Sequence, residues 1–367
     1  MLPSTLPNPR TPSSMDAPPL RWGILGSGWI ADQFVSALRA HTRQVVQAVG
    51  SRSAATAATS AARYGARTAH ASYEALVADP DVDVVYVATP HNFHLPHSLL
   101  AIGAGKHVLI EKPVGLDAEE AREIEAAATR AGVFCMEAMW TLFLPKFDVI
   151  RQLLDDGVLG SVHTILADMG ETFAPQHRIF DPRLAGGPLL DLGTYPVTLA
   201  TWVLGAPDAV WAVGSPAPSG VNGQIAAVLG SPKTTAALHF SILGETPTVA
   251  SISGSDAVIE IDRHFYRPGG FTLRDATGTA ALRWQEAAVG HEGLHFEAAE
   301  VARRIAAGET GSPLSPMART IETLEVMDRI RQSVGFDFTA AAAPTTAVPD
   351  GRPIVRSESE KGLETTS

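Results

Sequence analysis

The segment Gly26-Ser27-Gly28-Trp29-Ile30-Ala31 has glycines at a spacing that lets a backbone close around a phosphate group. It lies between an apolar segment, Arg21–Leu25, and a stretch of helical spacing, so it joins a predicted strand to a predicted helix. Gly26 permits a tight turn, Gly28 lets the backbone approach a pyrophosphate, and the helix N-terminus offers unpaired N–H groups. The alternative is a turn with a purely structural role. The motif in this position predicts a dinucleotide site formed by Gly26, Gly28, Trp29 and Ile30.

The residues after the second predicted strand bear on which dinucleotide binds. An acidic side chain there would accept hydrogen bonds from a ribose diol, but positions 44 to 63 contain no Asp or Glu. The sequence instead places Ser51, Arg52 and Ser53 there, and these side chains suit a 2′-phosphate through charge-assisted hydrogen bonds. We therefore predict NADP as the cofactor. NAD remains the alternative if Arg52 is simply a surface residue.

Two further segments contain side chains that could transfer protons. Glu111-Lys112-Pro113 follows a predicted strand, and ligands of open α/β sheets bind at the carboxyl ends of strands, which places Lys112 beside the nicotinamide. Asp191 and Tyr195 are four positions apart and share one face if a helix begins there. A tyrosine has a pKa of about 10 and is an inefficient base near neutrality unless a neighbouring cation lowers that pKa. Without such a neighbour, Tyr195 would be interpreted as a buried aromatic side chain.

The elements that position these residues alternate in type over the first part of the chain. Strands are predicted at 21–25, 45–49, 82–88, 107–110 and 133–136, and the stretches between them have helical spacing. A helix is expected to begin after Asp117, with Glu120 three residues later, and to stop at Gly132. This alternation predicts an α/β protein whose N-terminal Rossmann domain, residues 21–140, is a doubly wound parallel sheet.

From about Ser161 the pattern changes to short segments rich in β-forming residues, most of them separated by Gly, Pro, Ser or Asn. They predict a C-terminal α+β domain, residues 141–335, with a large, mostly antiparallel open sheet. Its expected strands are 162–169, 208–213, 224–229, 234–242, 248–253, 257–261 and 271–274. A helix is predicted at 192–204, and two late helices, 294–307 and 316–334, are expected to pack back onto the first domain. Too few helices follow to cover both sheet faces, which predicts a homodimer through the open face.

Composition limits the range of functions. The 367-residue chain has a formal net charge of −11 and no long Lys/Arg run, which argues against a nucleic-acid partner. No stretch approaches the roughly 20 apolar residues that cross a bilayer, so no membrane partner is expected. The one cysteine, Cys135, gives no indication of an oxidising compartment, and we predict a cytoplasmic location. The polar, proline-containing ends, residues 1–20 and 336–367, are predicted to be a disordered arm and a disordered tail.

Five segments together carry a resemblance to a known family: GSGWIA, ATPHNFH, AGKHVLIEKP, MEAMWT and GGPLLDLGTYP. From Arg21 to about Gly335 the sequence resembles the Gfo/Idh/MocA oxidoreductase family. The tyrosine of LDLGTYP and the MEAMWT segment make it most similar to the branch of dimeric dihydrodiol dehydrogenase and NADP-dependent D-xylose dehydrogenase. That branch usually has arginine where Leu142 stands, and an aromatic residue where this chain has Met169. These departures concern the substrate and not the reaction class.

The resemblance implies that Lys112 and Tyr195 are the catalytic pair and that Asp191 orients Lys112 or a substrate hydroxyl. It places four groups of residues beside the cofactor in addition to the phosphate loop: Ser51 to Ser53, Thr89 to His91, His94, and Glu111 to Pro113. It assigns substrate contacts to His94, Lys112, Trp140, Asp191 and Tyr195, although a core role for Trp140 is an equal alternative. His91, His94 and His97 have a spacing that suggests zinc, but no neighbouring Cys or carboxylate completes a site, so no metal is predicted.

The sequence therefore predicts an NADP-dependent dehydrogenase or reductase acting on the hydroxyl or carbonyl carbon of a sugar, such as D-xylose or glucose, or of a cyclic diol. Two alternatives remain open. One is a sugar–sugar oxidoreductase with tightly bound NADP. The other is a non-catalytic NADP-binding sensor, against which the presence of both Lys112 and Tyr195 argues.

Overall fold

A computed structural model describes residues 2–287 and 290–336 and confirms the predicted two-sheet architecture. The first sheet has six strands in the order β3-β2-β1-β4-β5-β6, all paired in parallel. Its strands are β1 (Arg21–Leu25), β2 (Val45–Gly50), β3 (Thr68–His70), β4 (Val84–Val87), β5 (His107–Glu111) and β6 (Cys135–Ala138). Its helices are α1 (Trp29–His41), α2 (Ala54–Tyr64), α3 (Tyr73–Val77), α4 (His94–Gly103) and α5 (Ala118–Ala131). The strand order reverses beside β1, so the carboxyl ends of β1 and β4 form a crevice for a ligand.

Local sequence explains these elements. All four residues of β4 are buried, which accounts for its run of apolar side chains at the centre of the sheet. The Asp117 carboxylate accepts a hydrogen bond from the Glu120 backbone N–H at 3.0 Å and caps α5. The helix ends at Gly132, whose φ of 66° suits glycine. The capping signals in the sequence therefore predicted both ends of α5 correctly.

The second sheet has eight strands in the order β14-β13-β12-β11-β7-β10-β9-β8. They are β7 (Val162–Gly170), β8 (Ala209–Pro216), β9 (Asn222–Gly230), β10 (Thr235–Ser241), β11 (Ala250–Gly254), β12 (Ala257–Ile261), β13 (Gly270–Asp275) and β14 (Ala281–Gln285). Every pairing is antiparallel except that between β7 and β10. The helix α6 (Pro145–Asp155) precedes β7, and α7 (Thr194–Leu204) follows it and packs on β7 and β10.

The sheet face opposite α7 carries exposed apolar side chains. Trp211 and Val213 of β8 are 65% and 73% exposed, and Leu166, Val228 and Val249 on neighbouring strands are also exposed. Side chains alternate between the two faces along each strand, so the buried partners of these residues face α7. An apolar patch of this kind on a sheet is typical of an interaction surface.

Two strands were not predicted from the sequence. β3 has only three residues and no apolar alternation, and β14 is an edge strand whose side chains are exposed or half-buried. Two further helices, α8 (Leu294–Ala306) and α9 (Met317–Ser333), pack on α1 and on α5 and α7, respectively. Within the described residues, no helix combines the length and apolar character needed to cross a bilayer.

The N-terminal segment corrects the prediction that residues 1–20 are disordered, because it is ordered from residue 2 onward. The Arg10 guanidinium pairs with the Asp148 carboxylate of α6 at 2.7 Å, and the buried Ser14 hydroxyl hydrogen-bonds to the His295 ring at 2.8 Å. A polar segment can dock through such bonds without a core of its own, which composition alone does not reveal. The predicted disordered tail lies outside the described residues from position 337 onward.

Candidate active site

The glycine-rich turn lies between the end of β1 and the start of α1. Gly26 has a φ of 99°, and a Cβ atom there would lie 2.7 Å from the Ala88 carbonyl oxygen, so only glycine fits. A Cβ atom on Gly28 would meet nothing within 4 Å, so the space beside the N-terminus of α1 is open. Trp29 lies 43% exposed at that N-terminus, and Ile30 is half-buried behind it. The open space and the N–H groups of the first helical turn fit a dinucleotide pyrophosphate.

The end of β2 presents a second anion site. Arg52 and Ser53 are exposed, Ser51 is half-buried, and the Ser53 hydroxyl accepts a hydrogen bond from the Thr56 N–H at the N-terminus of α2. The Arg52 guanidinium hydrogen-bonds to the Tyr73 hydroxyl, which holds it beside this helix terminus. A guanidinium next to a helix N-terminus favours a phosphate, and no carboxylate lies in this segment.

His94 does not have the ligand-binding role that the resemblance implied. Its ring is fully buried, with Nδ1 2.7 Å from the Pro113 carbonyl oxygen and Nε2 2.7 Å from the Thr89 carbonyl oxygen. Burial lowers the pKa of His94 to about 4. Because both ring nitrogens face backbone carbonyls, neither is available to substrate or cofactor. His94 instead joins the loop after β4 to the loop after β5.

The segment after β4 also contains Thr89, Pro90 and His91. The Thr89 hydroxyl hydrogen-bonds to the His97 ring at 3.0 Å, and Pro90 precedes a short 3₁₀ turn. His91 is buried, with Nε2 3.5 Å from an Asp191 carboxylate oxygen and Nδ1 without a partner among the described residues. In the part of the chain that the structure describes, no group of three His, Cys, Asp or Glu side chains lies close enough together to hold a metal ion.

Lys112 lies at the centre of the site. Its Nζ donates a hydrogen bond to the Asp191 main-chain carbonyl at 2.8 Å and lies 4.9 Å from the centroid of the Tyr195 ring. The Glu111 carboxylate accepts hydrogen bonds from the Tyr86 hydroxyl and, at 3.1 Å, from the Lys112 N–H, which fixes the backbone at this point. Burial lowers the pKa of Lys112, while the negative charges of Asp191 and Glu111 act in the opposite direction.

Tyr195, in the first turn of α7, is buried beside Trp140 and Tyr266. Its hydroxyl accepts a hydrogen bond from Trp140 Nε1 at 3.0 Å, and its ring centroid is 4.5 Å from that of Tyr266. Burial raises the pKa of Tyr195 well above its ordinary value, and Tyr266 adds to the effect. This is opposite to the predicted lowering by Lys112, because burial is the dominant effect on the pKa of this phenol. The structure therefore keeps Tyr195 as a neutral phenol.

Asp191 lies in a wide helical turn, Leu189–Gly193, that leads into α7. Its Oδ1 accepts a hydrogen bond from Arg178 Nη2 at 2.7 Å. Although burial opposes ionisation, the positive charges of Arg178 and Lys112 and the His91 ring hold the pKa of Asp191 well below its usual range. Arg178 was not predicted as a site residue. It lies in an irregular segment after β7, where no periodicity or motif distinguishes it from other polar residues.

Two buried acids near Glu111 were also not predicted. Burial raises the pKa of Glu137 to about 7, and its carboxylate accepts hydrogen bonds from the Val114 N–H and the Thr320 hydroxyl. Glu297 of α8 is fully buried, and neither of its carboxylate oxygens has a partner among the described residues. Burial raises its pKa well above the ordinary value, with Glu111 and Glu137 adding to the effect.

Comparison with known proteins settles the family. Residues 20–139 match the model of the oxidoreductase family with an NAD-binding Rossmann fold, and residues 147–260 match the GFO/IDH/MocA C-terminal domain. The chain belongs to the Gfo/Idh/MocA family. The trans-1,2-dihydrobenzene-1,2-diol dehydrogenase of Bos taurus is 33% identical over 332 residues, which cover 87% of this chain and 98% of that protein. The predicted family, branch and oxidoreductase class are thereby confirmed.

Solved structures of this family have the same fold. A 3-ketoreductase from Actinomadura kijaniata, KijD10, solved with NADP and TDP-benzene, is 27% identical with a TM-score of 0.76. The alignment covers 86% of this chain and 98% of that one. Levoglucosan dehydrogenase, solved with NADH and levoglucosan, has a TM-score of 0.79 at 19% identity, with coverage of 87% and 98%. The dinucleotides named belong to those two proteins, and for this chain the family model indicates an NAD-binding Rossmann fold.

Proposed function

We propose that this family member is an NADP-dependent dehydrogenase or reductase that acts on the hydroxyl or carbonyl carbon of a sugar or a cyclic diol. The observation that carries the proposal is the meeting of Lys112, Asp191 and Tyr195. Lys112 comes from the carboxyl end of β5, and the other two come from the turn that opens α7. Lys112 Nζ touches both of them, at 2.8 Å from the Asp191 carbonyl and 4.9 Å from the Tyr195 ring centroid. A cation, a carboxylate and a phenol then surround the position where a substrate oxygen would lie.

The choice of NADP rests on the end of β2. Arg52 supplies a cation, and Ser51 and Ser53 supply hydroxyls beside the N-terminus of α2. A 2′-phosphate would gain charge-assisted hydrogen bonds there, whereas a free ribose diol would find no carboxylate in this segment. The pyrophosphate would lie beside Gly28, and the nicotinamide near Lys112 and the Thr89–His91 segment.

In the reduction direction, we assign to Tyr195 the donation of the proton that the substrate carbonyl oxygen receives. Bound NADP(H) supplies or accepts the hydride. The Tyr195 hydroxyl accepts its hydrogen bond from Trp140, so its own hydrogen is free to be donated to a substrate carbonyl oxygen. The raised pKa keeps that hydrogen in place near neutral pH, which suits the reduction direction. As the proton leaves, the Trp140 N–H and the Lys112 ammonium stabilise the phenolate.

We further propose a homodimer through the exposed face of the second sheet. Trp211 and Val213 are the most exposed large apolar side chains there, and Glu260 and Arg274 place both signs of charge on the same face. A second copy related by a two-fold axis would cover this patch with the same patch. We also propose a cytoplasmic location, which the single buried free thiol of Cys135 supports.

The decisive experiment is a turnover screen by NADPH and NADH absorbance. Purified protein is given aldoses, ketoses and cyclic diols with NADP or NAD, in both directions. The proposal expects catalysis with at least one polyhydroxylated substrate and a higher kcat/KM with NADP. No turnover, combined with tight NADPH binding, would favour the sensor alternative. Oxidation of one sugar coupled to reduction of another, without free cofactor, would favour the sugar–sugar alternative.

A further inference from the structure

The Arg178–Asp191 pair has unused hydrogen-bonding capacity on both partners. Arg178 Nη2 donates to Asp191 Oδ1 at 2.7 Å, yet Arg178 Nη1 and Asp191 Oδ2 are buried and have no partner among the described residues. A side-by-side guanidinium and carboxylate would normally form two parallel hydrogen bonds. Here one bond forms, and a donor and an acceptor remain unsatisfied close to Lys112. Buried polar atoms without partners cost free energy, so such a pair indicates a ligand position.

The charge state of the pair limits what can bind. The positive charges of Arg178 and Lys112 and the His91 ring hold the Asp191 carboxyl ionised, and the carboxylate in turn balances the guanidinium. An anionic substrate group would accept from Arg178 but would be repelled by Asp191. A carbonyl oxygen would satisfy the donor on Arg178 and leave the acceptor on Asp191 unpaired. A hydroxyl group both donates and accepts, so it can satisfy both atoms at once.

We propose that Arg178, together with Asp191, recognises a second hydroxyl of the substrate, on the carbon next to the one that is oxidised or reduced. This hydroxyl donates to Asp191 Oδ2 and accepts from Arg178 Nη1, while the reacting oxygen faces Tyr195 and Lys112. The inference rests on the proposed function and deepens it by naming the side chain that recognises the second hydroxyl. Arg178 is then a residue that determines specificity.

The segment that carries Arg178 covers this position. It runs from the end of β7 to the turn before α7, and Asn92 of the first domain reaches it with a hydrogen bond to the Arg183 carbonyl at 3.5 Å. The Asn92 side-chain oxygen is itself buried without a partner in the described residues. The segment therefore contacts the first domain through Asn92, which is next in sequence to His91, whose ring faces the Asp191 carboxylate.

The test compares matched substrates that differ by the second hydroxyl: trans-cyclohexane-1,2-diol with cyclohexanol, and D-xylose with 2-deoxy-D-xylose. Wild-type protein should favour the hydroxylated member of an accepted pair by about a hundredfold or more in kcat/KM. Arg178→Met keeps the apolar stem and should reduce this ratio to within about tenfold, with the loss concentrated on the hydroxylated substrate. Arg178→Lys should retain an intermediate ratio, because it keeps one charged donor.

Arg183→Met on the same segment is the matched control, since Arg183 is exposed and pairs with Asp181 within the segment. It should leave the ratio unchanged, and melting curves and NADPH affinity should show that every variant is folded. Equal losses on both members of a pair in Arg178→Met would overturn the inference, because Arg178 would then only position Asp191. Turnover by wild-type protein without discrimination would also overturn it and leave the proposed function standing. Absence of any turnover would refute the proposed function and this inference together.

Discussion

Tyr195→Phe tests the proposed chemistry with the smallest change that the site allows. The substitution removes one hydroxyl and keeps the ring, so the ring contacts with Tyr266, at 4.5 Å between centroids, and with Lys112, at 4.9 Å, remain. What is lost is the proton donor and the acceptor for Trp140 Nε1. Cofactor affinity should hardly change, because the substituted atom lies on the substrate side of the proposed site.

The two losses have separable magnitudes. General acid catalysis is worth about 10²–10⁴ in kcat, or roughly 2.7–5.4 kcal/mol of barrier. The buried Trp140 N–H loses its only acceptor among the described residues, which costs about 1–3 kcal/mol of folding stability and lowers Tm by a few degrees. The protein therefore stays folded at the assay temperature, and a rate loss of this size cannot come from unfolding.

The assay is kcat and kcat/KM by NADPH absorbance with the best substrate, alongside a melting curve and NADPH titration. Tyr266→Phe is the matched control, because its hydroxyl donates to Glu171 at 3.1 Å and accepts from Arg267 at 2.8 Å in the same aromatic cluster. It should change kcat by no more than about threefold. If Tyr195→Phe also stayed within about threefold of wild type, Tyr195 would not be the proton donor.

Four further outcomes follow from the structure. Arg52→Ala should weaken NADP far more than NAD in fluorescence titrations, and equal losses would contradict the 2′-phosphate assignment. Trp211→Glu should convert a dimer to a monomer in light scattering, and a wild-type protein that is monomeric at micromolar concentration would refute the interface. Lys112→Met should slow turnover and raise the apparent basic pKa in the pH profile of the oxidation rate, since the cation near the Tyr195 ring is lost. An unchanged pH profile would show that Lys112 does not stabilise the Tyr195 phenolate. Glu297→Gln should raise Tm more at about pH 8 than at about pH 5. The pKa of the buried Glu297 carboxyl is raised in the folded protein, so the group ionises more easily in the unfolded chain and the wild-type fold loses stability as pH rises. A variant without this trend would show that Glu297 ionises freely in the folded protein.

The sequence predicted the parts of the fold that local patterns encode. The apolar segment of β4 and the capping residues of α5 specify their elements directly, and the glycine motif predicted the turn from β1 into α1. β3 and β14 were not predicted, because a strand of three residues and an exposed edge strand show no clear alternation of apolar and polar side chains. The N-terminal segment was not predicted to be ordered because its contacts join residues far apart in sequence, such as Arg10 with Asp148, and buried Ala17 with Ala299.

The sequence predicted which residues form the candidate site better than it predicted their pKa shifts. The sequence placed Lys112, Asp191 and Tyr195 in one site, but it could not show that burial raises the pKa of Tyr195. The direction of a pKa shift depends on burial and on contacts between distant segments, which motif spacing does not encode. The partners of His94 and Arg178 could not be predicted for the same reason, since each pairs with a residue that no motif spacing relates to it.

The packing of α8 and α9 on the first domain has a consequence for how the chain folds during synthesis. The Thr320 hydroxyl of α9 reaches Glu137 of β6, and Asp328 accepts a hydrogen bond from the Ala118 N–H at the start of α5. Part of the packing of the first domain is thus supplied by helices that follow the second sheet in the chain. A nascent chain that ends within the second sheet would leave apolar surface on α1 and α5 uncovered, a state prone to aggregation. We infer that the first domain completes its folding only after α9 has left the ribosome.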